Sequence, residues 1–381
     1  MIKICKEVID LLRFFWFTKK SHKSIVFYSE GKNYYSNFEG VINELVNNQN
    51  KQICYITSDY SDQILFENNN SIKTFYSNAL LVLFMQLLDC KVLIMTLTDL
   101  NQFHIKKSYN NVHYVYIFHS MVSTHMMYRE GAFDYYDSIL CTGKYQIDEI
   151  RKREAMLNQD QKFLINTGYY RLERINKKFL KKKTPKSEKK TILIAPSWGE
   201  DNLLESCGSL LIKLLLKWDY YVIVRPHPEI FKHNPELINR LIKNNSNEKN
   251  FLIEKSIVND DSLLKSDLLI CDCSGIALEY AFGTLRPVLF LDVPIKIKNK
   301  NYTDLNIEPF EIYSRSIIGK ICSTDDIASL NIEIESLIQS KKYFEKEILN
   351  LRDDNVFSFG NSSQISGKYI SSLLKTGEVM K

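Results

Sequence analysis

The feature that most constrains this sequence is a repeated succession of short, uninterrupted apolar runs, each followed by a longer stretch of helical period. Apolar runs without alternation indicate strands buried on both faces. Their separation by helix-length segments indicates parallel βαβ units. One set of runs comprises Ile25–Tyr28, Ile53–Thr57, Val92–Thr96, Tyr114–His119, Ile139–Thr142 and Phe163–Asn166, with helical stretches such as Phe38–Val46 and Asn78–Asp89 between them. A second set comprises Thr191–Ala195, Tyr221–Arg225, Phe251–Ile253, Leu268–Cys271, Val288–Leu291 and Ile317–Cys322, separated by helical stretches that include Leu203–Lys217, Pro235–Lys243, Ile276–Phe282 and Ile327–Ile338. Between the sets lies Lys177–Lys190, KKFLKKKTPKSEKK, with eight lysines and one proline. So many like charges repel in any compact form, so the segment reads as a solvated linker. The expectation is an α/β chain of two Rossmann-like, doubly wound domains facing a cleft, at 21–176 and 191–381, joined by the linker 177–190.

Composition removes several alternatives. The 381 residues are 45% hydrophobic and 25% charged, as in soluble globular proteins. The net charge of +5 is modest, and 39 lysines against 11 arginines, with abundant Asn and Ile, suggest A/T-rich coding rather than a nucleic-acid surface. No nucleic-acid partner is expected. The eight cysteines are scattered and form no CxxC pair, which reads as reduced core thiols in a cytoplasmic protein. No cleavable signal peptide is visible. The run Leu11–Phe17 is too short to span a bilayer, and residues 79–97 are interrupted by Asp89 and Lys91. The first 20 residues place Ile4, Val8, Leu11, Leu12 and Phe15 at helical spacing beside Arg13, Lys19, Lys20, Trp16 and Phe17. They read as an amphipathic helix lying in a membrane interface, or equally as a helix packed on the domain. The GxGxxG fingerprint and the P-loop are both absent, which argues against NAD enzymes and kinases. The histidines show no metal-ligand spacing, so no metal is expected.

In open parallel sheets, ligands bind beyond the carboxyl ends of the strands. The residues that follow the apolar runs are therefore the candidate site. They are His119-Ser120, Pro196-Ser197-Trp198-Gly199, Arg225-Pro226-His227-Pro228 and Asp272-Cys273-Ser274-Gly275. Ser274 and Gly275 open a helix whose free N–H groups suit a phosphate. Glu279, one turn on, is placed to accept ribose hydroxyls; a plain Ser cap with a surface Glu would give the same pattern. Two prolines stiffen the turn that carries Arg225 and His227. His119 ends an apolar strand, where a neutral imidazole could take a proton from a hydroxyl. Ser120, Ser123, Thr124, His125 and Arg129 follow it in a polar loop.

These elements resemble the CDP-glycerol glycerophosphotransferase family of teichoic-acid and capsule polymerases, from about Tyr114 to Ser363. His119-Ser120 resembles a His-Gly element, and Asp134-Tyr135-Tyr136-Asp137-Ser138 an Asp-Tyr…Ser element. Gly168-Tyr169-Tyr170-Arg171 is similar to Gly-Tyr-Pro-Arg, and Ala195-Pro196-Ser197-Trp198-Gly199 to Ala-Pro-Thr-Trp-Arg. Arg225 to Pro228 keeps Arg-Pro-His-Pro. Asp272-Cys273-Ser274-Gly275 stands for Asp-Tyr-Ser-Ser, and Phe359-Gly360-Asn361-Ser362-Ser363 for a late Gly-x-Ser element. Glycine after His119 and arginine after Trp198 are missing, which marks a divergent branch.

The resemblance implies a GT-B fold with an acceptor domain first, a nucleotide-donor domain second and a final helix returning to the first. It implies transfer of a polyol phosphate, glycerol phosphate foremost, from a CDP-linked donor to a hydroxyl of a polyol-phosphate, glycan or lipid-linked acceptor, with release of CMP and no bound cofactor. It implies work in cell-envelope synthesis, peripherally on the inner face of the bacterial membrane. His119 would be the base. His227, Ser274 and Arg225 would hold the diphosphate, and Glu279 the ribose; Gly275, Ser197, Asp272 and Arg171 complete the expected substrate contacts. A GT-B glycosyltransferase using a nucleotide sugar, or a catalytically inactive GT-B scaffold, would share most of these features.

Overall fold

A computed structural model of the chain describes residues 2–181, 189–255 and 259–375. The chain divides into two compact units. One comprises Met1–His119, Tyr128–Tyr170 and Val356–Lys381; the other comprises Ser120–Met127 and Arg171–Asn355.

The first unit is built on a seven-stranded sheet in the order β3-β2-β1-β4-β5-β6-β7. Its strands are β1 Ile25–Ser29, β2 Ile53–Thr57, β3 Ile72–Tyr76, β4 Val92–Met95, β5 His113–Ile117, β6 Ser138–Cys141 and β7 Phe163–Asn166, all paired in parallel. The second unit holds a six-stranded parallel sheet in the order β10-β9-β8-β11-β12-β13. Its strands are β8 Thr191–Ile194, β9 Tyr221–Val224, β10 Phe251–Ile253, β11 Leu268–Cys271, β12 Val288–Asp292 and β13 Gly319–Ser323. Both orders turn back at their first strand, which is the doubly wound Rossmann arrangement. Strands β1, β2, β4, β8 and β11 are buried along their whole length, as their uninterrupted apolar runs require. Strand β3 is absent from the sequence reading. It lies at a sheet edge, where Lys73 is exposed, so its pattern is mixed.

Two boundaries lie elsewhere than the sequence pattern puts them. The helix Tyr170–Lys181 runs through the start of the lysine-rich segment, so residues 177–181 are helical; residues 182–188 lie outside the described residues. Leu172 and Ile175 of that helix are fully buried, and Asn176 donates to the Gly283 carbonyl at 3.1 Å. This apolar stripe carries the lysines into regular structure. Ser120–Met127 belongs to the second unit, where the Ser123 N–H and hydroxyl donate to the buried Glu311 carboxylate at 2.8 and 2.7 Å. The helix Ser362–Ser372 belongs to the first, with Ile370 buried in its core and the Tyr369 hydroxyl 2.5 Å from Ser138 Oγ.

The first helix, Ile2–Leu12, is amphipathic with its polar side inward. Glu7 and Asp10 are 2% and 0% exposed. Glu7 accepts the N–H groups of Asn78 and Leu80 at 3.0 and 2.8 Å. Asp10 accepts the Tyr76 N–H at 2.8 Å and pairs with Lys6 and Arg13 at 3.0 and 3.2 Å. Phe14 is the apolar anchor, buried against Phe75 and Phe84 at centroid distances of 5.2 and 4.8 Å. Replacing Asp10 with alanine orphans a buried N–H and should cost about 1–3 kcal/mol in urea unfolding. Unchanged stability would mean that the carboxylate does not hold the helix.

Candidate functional site

The reversal of strand order in the second unit falls between β8 and β11, which leaves a crevice at their carboxyl ends. Ser197 and Trp198 follow β8 there. Asp272, Ser274 and Gly275 follow β11, and His227 follows the next strand, β9. Asp272 ties the first two of these loops together. Its carboxylate accepts the Ser197 N–H at 2.7 Å, the Ser197 hydroxyl at 2.9 Å and the Leu203 N–H at 3.3 Å. Burial raises its pKa above the ordinary Asp value, while the donors of Ser197 and Leu203 pull the other way.

Ser274 is the N-cap of the helix Gly275–Thr284, with extended backbone, and its side chain makes no capping hydrogen bond. The opening N–H groups of this helix therefore carry no side-chain oxygen from their own cap. Gly275 is sterically required: a Cβ there would strike the Ser120 hydroxyl and crowd Val122. His227 caps the helix Pro228–His233, and its Nδ1 accepts the Glu229 N–H at 3.2 Å. With Nδ1 accepting, the proton of the neutral ring sits on Nε2, which makes that nitrogen a donor. The ring stacks on Trp198, with centroids 5.9 Å apart and planes 27° apart.

Five of the expected substrate contacts have partners within the protein. Asp272 spends its oxygens on the protein, as described. Arg225 is buried, and its NH1 donates to Glu254 at 2.8 Å, Ser262 at 2.9 Å and the Asn259 carbonyl at 3.0 Å. Glu279 is buried and accepts Arg171 Nε at 2.8 Å. Arg171 also lies 3.8 Å from Asp260, which Arg174 and Lys178 approach to 3.1 and 3.3 Å. These groups form a structural ionic cluster, because a buried charge persists only when paired and hydrogen-bonded. Ser197, half-buried, is committed to Asp272 through its hydroxyl.

In the first unit His119 follows β5, half-buried. Its ring meets those of Tyr34 and Tyr128 edge-on at 5.8 and 6.0 Å, and Nδ1 lies 3.5 Å from the Tyr116 hydroxyl. Burial holds Tyr116 far above the ordinary phenol pKa, so it remains neutral. In the loop after His119, Ser123 is bonded to Glu311, and His125 Nε2 lies 3.0 Å from the Ile307 carbonyl.

The other motif elements are architectural. Asp134 takes a bidentate contact from Arg153 at 3.1 and 3.0 Å, and Asp137 accepts the Tyr114 N–H at 2.7 Å. Gly168, at φ +86°, abuts the Phe357 carbonyl, where any Cβ would clash. That contact joins the Gly168 element to the chain just before Phe359–Ser363. The sequence places Trp198 after a buried strand but assigns it no role; that it lies beside the capping His227 becomes visible only once β8 and β9 are paired.

The Asp272 contacts give a graded expectation. Replacing Ser197 with alanine removes one of three donors and should cost about 0.5–1.5 kcal/mol in urea unfolding. Asp272→Ala removes the shared acceptor and should cost more, about 1–3 kcal/mol. Equal effects would show that Asp272 does not organise both loops.

Comparison with known proteins agrees with this construction. Among solved structures, the chain is similar to the wall teichoic acid polymerase TagF, at 17% identity and TM-score 0.64 over 98% of both chains. It is also similar to MnaA of S. aureus in a structure with UDP, at 14% identity and TM-score 0.59 over 92% of this chain and 95% of that one. A UDP-GlcNAc 2-epimerase from Neisseria meningitidis, bound to UDP-GlcNAc, matches at 16% identity and TM-score 0.53 over 92% and 99%. These likenesses establish the GT-B fold of two Rossmann-like domains. No curated protein matches the sequence. The model of the CDP-Glycerol:Poly(glycerophosphate) glycerophosphotransferase family matches residues 11–365, and the chain belongs to that family.

Proposed function

We propose that the protein transfers a polyol phosphate, glycerol phosphate foremost, from a CDP-activated donor to an acceptor hydroxyl in the synthesis of a teichoic-acid-like or capsule polymer. The observation that carries this reading is the crevice of the second unit. There a helix N-terminus without a side-chain cap, the Nε2 donor of His227 and the Trp198 ring gather at the strand-order reversal. Such a set of donors and partial positive charge suits a nucleoside diphosphate.

In the proposed reaction the acceptor oxygen forms a bond to the distal phosphorus and the anhydride bond breaks. CMP leaves, and the hydroxyl proton passes to His119. That role requires the tautomer in which His119 Nδ1–H donates to the Tyr116 oxygen, which leaves Nε2 as the base. His227 and the Gly275–Thr284 helix neutralise charge on the diphosphate. Catalysis then rests on positioning and charge stabilisation.

His119→Ala should keep donor affinity and lose ~10²–10⁴-fold in turnover. His227→Ala should weaken donor binding as well as turnover. Calorimetric titration beside a CMP-release assay measures both, and full activity in both variants would end the proposal. A new glycosidic bond in the product, with no CMP released, would favour a nucleotide-sugar glycosyltransferase.

The same reading has the protein act at an anionic membrane surface. No described helix is long and apolar enough to cross a membrane. The first helix, pinned by Glu7 and Asp10, turns Ile2, Val8, Ile9 and Leu12 outward, and Trp16 and Phe17 beyond it are 69% and 81% exposed. The adjoining helix Leu81–Leu87 exposes Val82, Leu83 and Leu87. Lys3, Lys19 and Lys20 are exposed along the same segment. An apolar face with aromatic ends and basic flanks suits the headgroup region of anionic lipid. The double variant Trp16→Glu, Phe17→Glu should stop sedimenting with phosphatidylglycerol vesicles while keeping its circular dichroism. Undiminished sedimentation at raised salt would rule this face out.

A further inference from the structure

The loop after β12 carries a lysine that the sequence pattern does not distinguish from its neighbours. Lys296 Nζ lies 2.8 Å from the centroid of the Trp198 indole, and Lys298 Nζ lies 5.0 Å from it. The same indole stacks on His227, and on His233 at 6.0 Å with planes 13° apart. The Lys296 stem runs beside Gly199, 3.6 Å from where a Cβ would stand. One aromatic ring therefore gathers two ammonium groups and two imidazoles next to the Ser197–Asp272 tie.

The acids near Lys296 are engaged elsewhere. Glu229 is bonded to Lys232 at 2.5 Å and His233 at 3.2 Å, and Asp272 to Ser197 and Leu203. A π face attracts a cation but does not neutralise it. The half-buried ammonium is accordingly destabilised: burial first, then Lys298, lower its pKa to about 7, against the weaker pull of Glu229 and Asp272.

We propose that Lys296 is a diphosphate-binding residue of the second unit, acting with His227 at the Trp198 face. The identity of the nucleotide rests on the function proposed above; the anion site itself does not. An incoming diphosphate gives Lys296 the counter-charge that Glu229 and Asp272 do not supply. Binding therefore favours the protonated amine and takes up a proton when the free amine is neutral. The sign follows: affinity should fall as pH rises above 7. The charged and titratable groups around the amine are Lys298 on its own loop, Glu229, His227 and His233 at the Pro228–His233 helix, and Asp272 after β11. Their contribution persists when Lys296 is replaced.

The test is calorimetric titration of the full chain with inorganic pyrophosphate and, separately, with CDP, at pH 7 and pH 9. Lys296→Met should bind both ligands roughly 10–100-fold more weakly at pH 7, the value of a charge-assisted hydrogen bond. Lys296→Arg should bind them at pH 7 but lose most of the wild type's weakening at pH 9, because guanidinium does not titrate there. Pyrophosphate affinity unchanged in Lys296→Met would overturn the proposal, as would a wild type that binds neither ligand. Should Lys296→Met fail to fold, an identical pH dependence in wild type and Lys296→Arg would overturn it. CDP binding no more tightly than pyrophosphate, with both still dependent on Lys296, would support the anion site and count against the nucleotide reading.

Discussion

The candidate site in the second unit depends on one buried carboxylate. Asp272 stands at the end of β11 and collects three donors from the chain that leaves β8. Neighbouring parallel strands fix each other through the ladder, but the ladder stops where the loops begin. Past that point the separation of the loops must be set by side chains. A carboxylate can accept several hydrogen bonds at once, so one residue can hold the Ser197 loop, and through it Trp198, against the start of the Gly275–Thr284 helix. The cost is a charge taken from water, visible in the raised pKa of Asp272, and the donors offset it.

The same rule governs the other buried charges of this unit. Arg225, Glu279 and Arg171 look like substrate contacts in the sequence because charged residues at strand ends and helix starts often are. In the fold they are buried, and a buried charge is tolerated only with a partner. Arg225 is satisfied by Glu254 and Ser262, Glu279 by Arg171, and Asp260 by a group of cations on the Tyr170–Lys181 helix. His227, Ser274 and Lys296, by contrast, are only half-buried.

The first helix shows the rule in reverse. Its carboxylates lie inside because the N–H groups of Tyr76, Asn78 and Leu80, at and just after the end of β3, need acceptors there. Satisfying those donors fixes the rotation of the helix about its axis, and the apolar residues then face outward. Amphipathic spacing is readable in the sequence. Which side faces the protein is not, since the donors that decide it lie some seventy residues away in the chain.

The sequence by itself determined the alternation of strands and helices, the presence of two parallel sheets and the residues that end each strand. These depend on local period and on apolar runs, which the chain carries within a few residues. The edge strand β3 escaped because one-sided exposure blurs its run. The start of the lysine-rich segment escaped because helix formation there depends on burying Leu172 and Ile175. Tertiary structure alone decided which loops Asp272 joins, which charges pair with each other and which lysines of the 39 reach the Trp198 ring. Those choices depend on contacts between residues far apart in sequence, where strand order and burial, not spacing, set the distances.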